Sequence, residues 1–179
     1  VVARACDTEA LAASVEDTDG VYFVPAFVGL GAPYWDPYAR GAMFGITRST
    51  TKAHITRAVL ESMAYQTADV VNVMKKEVGT SCCSLRVDGG ASANNLLLAF
   101  QADILGSTII RPKCIETTAL GASFLAGLAV GAYGSLQEIA RKWQIDREFH
   151  ANMDTFQRDQ KMHGWHKAVR ACSGWERQN

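Results

Sequence analysis

Blocks of apolar residues alternate with polar stretches along this chain, and their spacing predicts strands separated by helices. Residues 21–27 are apolar on both faces, which is typical of a buried strand. A long helix, capped by one of residues 49–51, runs to about Glu77, with apolar side chains at helical spacing. The other predicted strands are 41–46, 84–88 and 107–112, and the other predicted helices are 9–15, 93–105, 119–130, 136–142 and 155–176. Strands that alternate with helices predict an α/β fold whose sheet is covered on both faces.

One turn carries the strongest functional signal. The predicted strand 84–88 ends in Asp88, Gly89 and Gly90, and a helix-forming run follows Asn94. Because glycine has no Cβ, the backbone can approach a ligand closely here, and the first N–H groups of a helix favour an anion. A phosphate is the natural ligand. A pair of adjacent glycines is by itself a weak signal, since it more often marks an ordinary turn.

Two other segments are unusual in composition. The predicted helix 119–130 is rich in glycine and alanine, and each interior glycine costs a helix about 1 kcal/mol relative to alanine. Gly121 and Gly127 therefore predict that another helix or a ligand comes close. Three aromatic residues, Tyr34, Trp35 and Tyr38, fall in a loop with several glycines and prolines, which predicts an ordered loop packed on the rest of the protein.

Charge and cysteine content limit the partners and the compartment. The chain has 18 basic and 18 acidic residues, so nothing predicts nucleic acid or a membrane as partner. No signal peptide or membrane span is visible in the sequence. Five cysteines are an odd number, and the adjacent Cys82 and Cys83 are poorly placed to pair with each other. A reduced, cytoplasmic protein with structural thiols is the resulting prediction.

Several segments together resemble the C-terminal domain of the FGGY carbohydrate kinases. The resemblance is carried by residues 24–27, 29–41, 86–91, 101–106 and 117–122, and by the glycine-rich strand at 41–46 with the helix that follows it. It extends from about Val21 to the terminal helix. Within the family, the segment Gly31-Ala32-Pro33-Tyr34-Trp35-Asp36-Pro37 is most similar to the members that phosphorylate glycerol.

The resemblance implies an actin-like, ribonuclease-H-like ATPase domain, a mixed sheet with helices on both faces. It also implies that ATP or ADP binds against this domain, with Gly89 and Gly90 at the phosphates and Asn94 beside the adenosine. An amide side chain offers both a donor and an acceptor for that purpose. The alternative for Asn94 is a helix-terminal residue that bonds its own backbone. Mg²⁺ is implied by the chemistry, and no ligand for it is identifiable in this chain.

The resemblance also implies what this chain lacks. The family's acceptor-binding residues and catalytic base precede the sequence that matches here, so no catalytic or substrate residue is assigned. Residues 1–179 are expected to be a single domain truncated at its N-terminal side, part of a larger, oligomeric kinase that binds glycerol through the missing domain. The isolated chain is then expected to be inactive. The alternatives are a sister sugar kinase of the family, or a non-catalytic module kept for assembly or regulation.

A few polar residues outside the glycine turn also have two interpretations. Asp88 is either a ligand to a metal-bound water or, more simply, an acid in a turn, and Asp36 is expected to open a turn rather than act as a base. His163 and His166 share a helix face with Asp159, at the spacing of a metal site. A solvated helix face is the preferred interpretation of these three.

Overall fold

The computed structural model describes residues 2–79 and 83–177. The helices in this part of the chain are α1 (Asp7–Ala13), α2 (Lys52–Val78), α3 (Asn95–Leu105), α4 (Thr117–Ala129), α5 (Leu136–Ala140) and α6 (Thr155–Cys172). The strands are β1 (Tyr22–Val24), β2 (Ala42–Phe44), β3 (Ser84–Arg86), β4 (Thr108–Pro112) and β5 (Ile145–Phe149). A short 3₁₀ helix, Gly90–Ala93, lies between β3 and α3. Every predicted helix and strand is present, and the strands are shorter than predicted.

The strands form two sheets instead of the single sheet that was predicted. β1 and β2 pair antiparallel, and a second, mixed sheet has the order β3-β4-β5, with β3 parallel and β5 antiparallel to β4. Strand β5 was not predicted from the sequence. Its first four residues are exposed and three of them are charged, so the apolar alternation that marks a half-buried strand is absent. Charged side chains are usual on an edge strand, where they discourage pairing with other chains.

Helix α2 is the central packing element, and local signals define both of its ends. At its start the Thr51 N–H donates to the His54 Nδ1 at 3.1 Å, the reciprocal half of a capping box. At its end Gly79 adopts a left-handed conformation with φ of 67°. The buried face of α2 packs against α1, α3 and β1. This face carries several alanines, which allow the neighbouring elements to approach closely.

Aromatic rings from three helices meet in the core. The Tyr65 ring of α2 stacks on the Trp165 ring of α6, with centroids 5.3 Å apart and an interplanar angle of 11°. The Phe100 ring of α3 meets Tyr65 edge-on at 5.4 Å. Trp165 is fully buried, so the terminal helix α6, although polar in sequence, is part of the core. Offset and edge-on aromatic pairs add about 0.5–1.5 kcal/mol beyond the area they bury.

The Asp69 carboxylate joins the aromatic loop to two helices. Asp69 lies on α2 and accepts hydrogen bonds from Tyr34 Oη at 2.7 Å, Trp165 Nε1 at 2.7 Å and His166 Nε2 at 2.9 Å. Burial, followed by the Asp69 carboxylate, raises the pKa of Tyr34 far above its ordinary value. The predicted packing of the loop is therefore correct for Tyr34. It is wrong for Trp35, whose side chain is 76% exposed.

Helix α4 differs from the other long helices because none of its residues is buried among the described residues. Its small residues were predicted to receive a helix or a ligand. At Gly127 the neighbour is the Tyr133 ring, which an added Cβ would meet at 2.7 Å, because the chain folds back after the helix. At Gly121 the described residues leave the space open.

Two predictions from composition can be compared with the structure. Cys6, Cys114 and Cys172 are free thiols, and Cys82 lies outside the described residues. Among the helices of residues 2–79 and 83–177, none has the length and hydropathy to cross a bilayer.

Candidate functional site

The turn after β3 is held in place by the connection between β4 and α4. Gly89 has φ of 80°, a conformation that favours glycine, and its N–H donates to the Ile115 carbonyl at 2.8 Å. The Asp88 carboxylate accepts a hydrogen bond from Thr117 Oγ1. Two loops at the carboxyl ends of the parallel strands β3 and β4 are thus tied together. Ligands of α/β sheets commonly bind at this end of the strands.

The positive backbone angle lies at Gly89 alone, and the two glycines have different roles. The Gly89 N–H is already bonded within the protein, so it is not available to a ligand. Gly90 begins the 3₁₀ helix, and the N–H groups of Gly90 and Ala91 have no acceptor among the described residues. A Cβ added at Gly90 would meet nothing within 4 Å. Gly90 and Ala91 are both exposed, so these two donors can be reached by an anion.

Asn94 caps helix α3, so the structure contains the interaction that was the alternative interpretation of this residue. Its Oδ1 accepts from the Leu97 N–H at 2.9 Å, and its Nδ2 donates to Thr8 Oγ1 at 3.4 Å. An amide nitrogen carries two hydrogens. The second has no acceptor in the described part of the chain. A ligand role for Asn94 is therefore compatible with its capping role, but only through this N–H.

A carboxylate of the protein itself occupies the N-terminus of α3. Glu9, on α1, accepts from the Asn95 backbone N–H at 3.1 Å and from Asn95 Nδ2 at 3.0 Å. A negative group at a helix N-terminus is stabilising. The Asn95 N–H is therefore already bonded within the protein, and the Gly90 and Ala91 N–H groups lie about one turn earlier. That a phosphate binds near the start of this helix stays a prediction. No local pattern could have revealed Glu9, because it is 86 residues away from Asn95.

A cavity of about 700 Å³ opens beside these donors, and no sequence pattern predicted it. Gly90, Ala91 and Asn94 contribute to its lining. Most of the remaining wall is apolar and comes from α1, β1, β2 and α2, with Phe23, Val59 and Met63 among the side chains. Apolar walls suit an aromatic or aliphatic group and not a phosphate. The polar edge at Gly90 and the apolar interior are therefore chemically distinct parts of one cavity.

The other polar candidates have structural partners. Asp36 opens a turn, as expected, with Oδ1 accepting from the Tyr38 N–H at 2.9 Å and Oδ2 from the Gly174 N–H at 2.8 Å. His163 and Asp159 are exposed, and the His166 side chain is 42% exposed while it also bonds the buried Asp69 carboxylate. Among the described residues, no cluster of three or more His, Cys, Asp or Glu side chains could hold a metal ion.

Comparison with known proteins places this arrangement in a family. Residues 2–130 match the C-terminal domain of the FGGY family of carbohydrate kinases. The chain belongs to the FGGY family. Among curated relatives of this FGGY chain, a glycerol kinase from Saccharolobus islandicus is 61% identical over 169 residues, which is 94% of the chain and 34% of the relative. Glycerol kinase 2 from Saccharolobus solfataricus is 57% identical over 171 residues, which is 96% of this chain and 34% of the relative. The chain thus spans about a third of the length of these relatives.

Solved structures confirm the expected class of fold. Glycerol kinase from Plasmodium falciparum, solved with ADP, superimposes with a TM-score of 0.85 and 36% identity over 96% of this chain and 34% of that one. A ligand-bound xylulose kinase from Lactobacillus acidophilus superimposes with a TM-score of 0.69 and 25% identity, over 93% of this chain and 33% of that one. The FGGY chain therefore has the mixed α/β, actin-like ATPase fold.

Proposed function

We propose that this chain is the nucleotide-binding part of a glycerol kinase, which transfers the γ-phosphoryl group of ATP to a primary hydroxyl of glycerol. The observation that carries the proposal is the identity of about 60% to proteins named glycerol kinase over 94% of the chain. The N–H groups of Gly90 and Ala91 support it independently, since both residues are exposed and neither N–H has an acceptor among the described residues. Phosphoryl transfer depends mainly on such positioning and charge stabilisation.

The proposed role of each site residue follows from its free donors. The Gly90 and Ala91 N–H groups donate to phosphate oxygens, and Gly89 shapes the turn without touching the ligand. Asn94 uses its second amide N–H toward the adenosine while it continues to cap α3. Mg²⁺ is implied by the chemistry, but the described residues contain no cluster that fits it. We therefore assign it no ligand in this chain.

Acceptor binding and catalysis are proposed to need the rest of a longer kinase, because the chain spans only 34% of its relatives. An oligomeric whole enzyme stays a prediction. Half a nucleotide site should bind ADP weakly, with a Kd near the millimolar range, or about −4 kcal/mol. The chain alone should show no glycerol-dependent release of ADP above background.

The nucleotide site is tested by titrating the ¹⁵N-labelled chain with ADP. The amide signals of Gly90 and Ala91 and the side-chain NH₂ signal of Asn94 should shift together and saturate. Gly90→Val should abolish these shifts without unfolding, because its branched side chain would fill the open space beside the turn that the phosphates need. Gly134→Val is the matched control, since a Cβ there meets only the Glu138 carboxylate, at 3.6 Å. Shifts confined to other parts of the chain would refute the assignment.

The substrate is tested in the full-length enzyme that contains this chain. Glycerol should be phosphorylated with a much higher kcat/KM than xylulose or gluconate, the substrates named in more distant structural relatives. A preference for a sugar would instead support the sister-kinase alternative. Lack of kinase activity with intact ADP binding would support a non-catalytic module.

A further inference from the structure

One arginine of the neighbouring strand β4 bonds the end of the 3₁₀ helix that carries the free donors. Arg111 lies on β4, and its Nη1 donates to the Ser92 carbonyl at 2.9 Å and to the Ala93 carbonyl at 3.3 Å. These carbonyls belong to the last residues of the 3₁₀ helix, directly before Asn94. Carbonyl groups at a helix end lack partners within the helix, so the guanidinium satisfies groups that would otherwise need water.

Arg111 is itself held by two contacts. Its Nε donates to the Asp146 carboxylate on β5 at 2.8 Å, and its guanidinium lies 5.4 Å from the centre of the Phe149 ring. The Arg111 side chain is 12% exposed, whereas Asp146 is 44% exposed. A planar guanidinium with donors in a rigid fork can bond Asp146 and the two carbonyls at once, and a lysine ammonium cannot reproduce that geometry.

We propose that Arg111 and Asp146 form a positioning pair for the nucleotide turn. Arg111 sets the 3₁₀ helix against β4, so that the Gly90 and Ala91 N–H groups and the Asn94 amide keep their direction toward the ligand. Asp146 acts through Arg111 by fixing the rotation of its guanidinium. Neither residue touches the nucleotide. This inference rests on the proposed nucleotide site and adds the edge strand β5 to the elements that the site needs.

Three variants test the pair in the full-length enzyme. Arg111→Lys keeps the charge and removes the fork, and Asp146→Asn removes the charge that orients it. Glu148→Gln is the control, because Glu148 lies on the same strand and its only ion-pair partner among the described residues is the exposed His150, at 3.8 Å. Arg111→Lys should raise the KM for ATP and the Kd for ADP about tenfold, because loss of the hydrogen bonds to the Ser92 and Ala93 carbonyls should weaken nucleotide binding by about that factor. Asp146→Asn should produce a smaller rise, and Glu148→Gln should produce none.

The KM for glycerol separates positioning from a structural role, and the urea midpoint shows whether each variant is folded. The proposal requires the KM for ATP to rise while the KM for glycerol stays within about twofold of the unaltered enzyme, since a positioning group affects only the ligand it orients. Because Asp146 acts through Arg111, the double variant should be no worse than Arg111→Lys alone. An unchanged KM for ATP in folded Arg111→Lys, or equal losses for both substrates, would overturn the inference. If Arg111→Lys does not fold, the more exposed Asp146→Asn decides by the same criteria.

Failure of this inference can be distinguished from failure of the proposed site. If Gly90→Val leaves ADP affinity unchanged, the nucleotide site itself is wrong. If Gly90→Val weakens ADP binding and both Arg111→Lys and Asp146→Asn leave it unchanged, the site stands and the positioning pair is wrong.

Discussion

Removal of the Asp69 carboxylate should destabilise the fold strongly, because one buried group satisfies three donors from two separate elements, the aromatic loop and α6. Asp69 is 6% exposed and accepts three hydrogen bonds, from Tyr34, Trp165 and His166. In Asp69→Ala the Trp165 N–H would stay buried without an acceptor, which costs about 2 kcal/mol. Tyr34 and His166 are partly exposed and can reach water, so each should add about 0.5–1 kcal/mol.

The sum is a loss of about 3–4 kcal/mol, in the range seen when one partner of a buried charged network is removed. For a domain whose total stability is about 5–15 kcal/mol, this is a large fraction. Asp69→Asn keeps one carbonyl oxygen as acceptor but turns an NH₂ toward the other donors, so about 2 kcal/mol should be lost.

Urea unfolding followed by tryptophan fluorescence measures these losses, and Trp165 is itself a reporter of the site. Asp159→Asn on the exposed surface of α6 is the matched control and should stay within about 0.5 kcal/mol of the unaltered chain. A loss below about 1 kcal/mol for Asp69→Ala, with an unchanged slope in urea, would mean that the three donors find water in the native state. The hydrogen bonds of this carboxylate to the aromatic loop and to α6 would then contribute little to the free energy of unfolding.

Three further predictions concern stability. Burial, followed by the nearby Glu61, raises the pKa of Tyr65 far above its unfolded value near 10; the stabilising contribution of its neutral form is therefore complete below about pH 10 and is lost as pH rises further. Urea midpoints between pH 8 and 11 should fall accordingly, and more steeply than in Tyr65→Phe. Gly89→Ala should cost about 1–2 kcal/mol in thermal unfolding because φ is 80°, although the added methyl meets nothing within 4 Å. Glu9→Gln should lose about 1 kcal/mol, since a charged acceptor at the N-terminus of α3 becomes neutral.

Each of these has an outcome that contradicts it. A flat pH profile would show that Tyr65 ionises as easily in the folded state as in the unfolded state. If Gly89→Ala were as stable as the unaltered chain, the turn would have a second conformation available to it. If Glu9→Gln lost nothing at low salt, where helix-end charges act most strongly, the contact with Asn95 would contribute nothing to the fold.

The sequence by itself determined the local elements and the place of the glycine turn after β3. Apolar periodicity located the helices to within a few residues, and the glycine at the end of α2 marked its termination because few other residues adopt a positive φ easily. The Asp88-Gly89-Gly90 turn was predicted from the same kind of information. These features depend on backbone angles and on neighbours within one or two turns. Both are determined by residues that are close together in the sequence.

The tertiary structure alone decided which groups in that turn are free. Glu9 approaches α3 from 86 residues away and occupies its N-terminus, the Ile115 carbonyl takes the Gly89 N–H, and Arg111 supports the turn from β4. The edge strand β5, which supplies Asp146, has no apolar alternation to reveal it. Such contacts depend on how separate elements pack, and a hydrogen bond between distant residues leaves no periodic trace in the sequence. The position of the turn can therefore be predicted from the sequence. Which of its N–H groups remain available to a ligand is known only from the tertiary structure, because distant residues bond some of them.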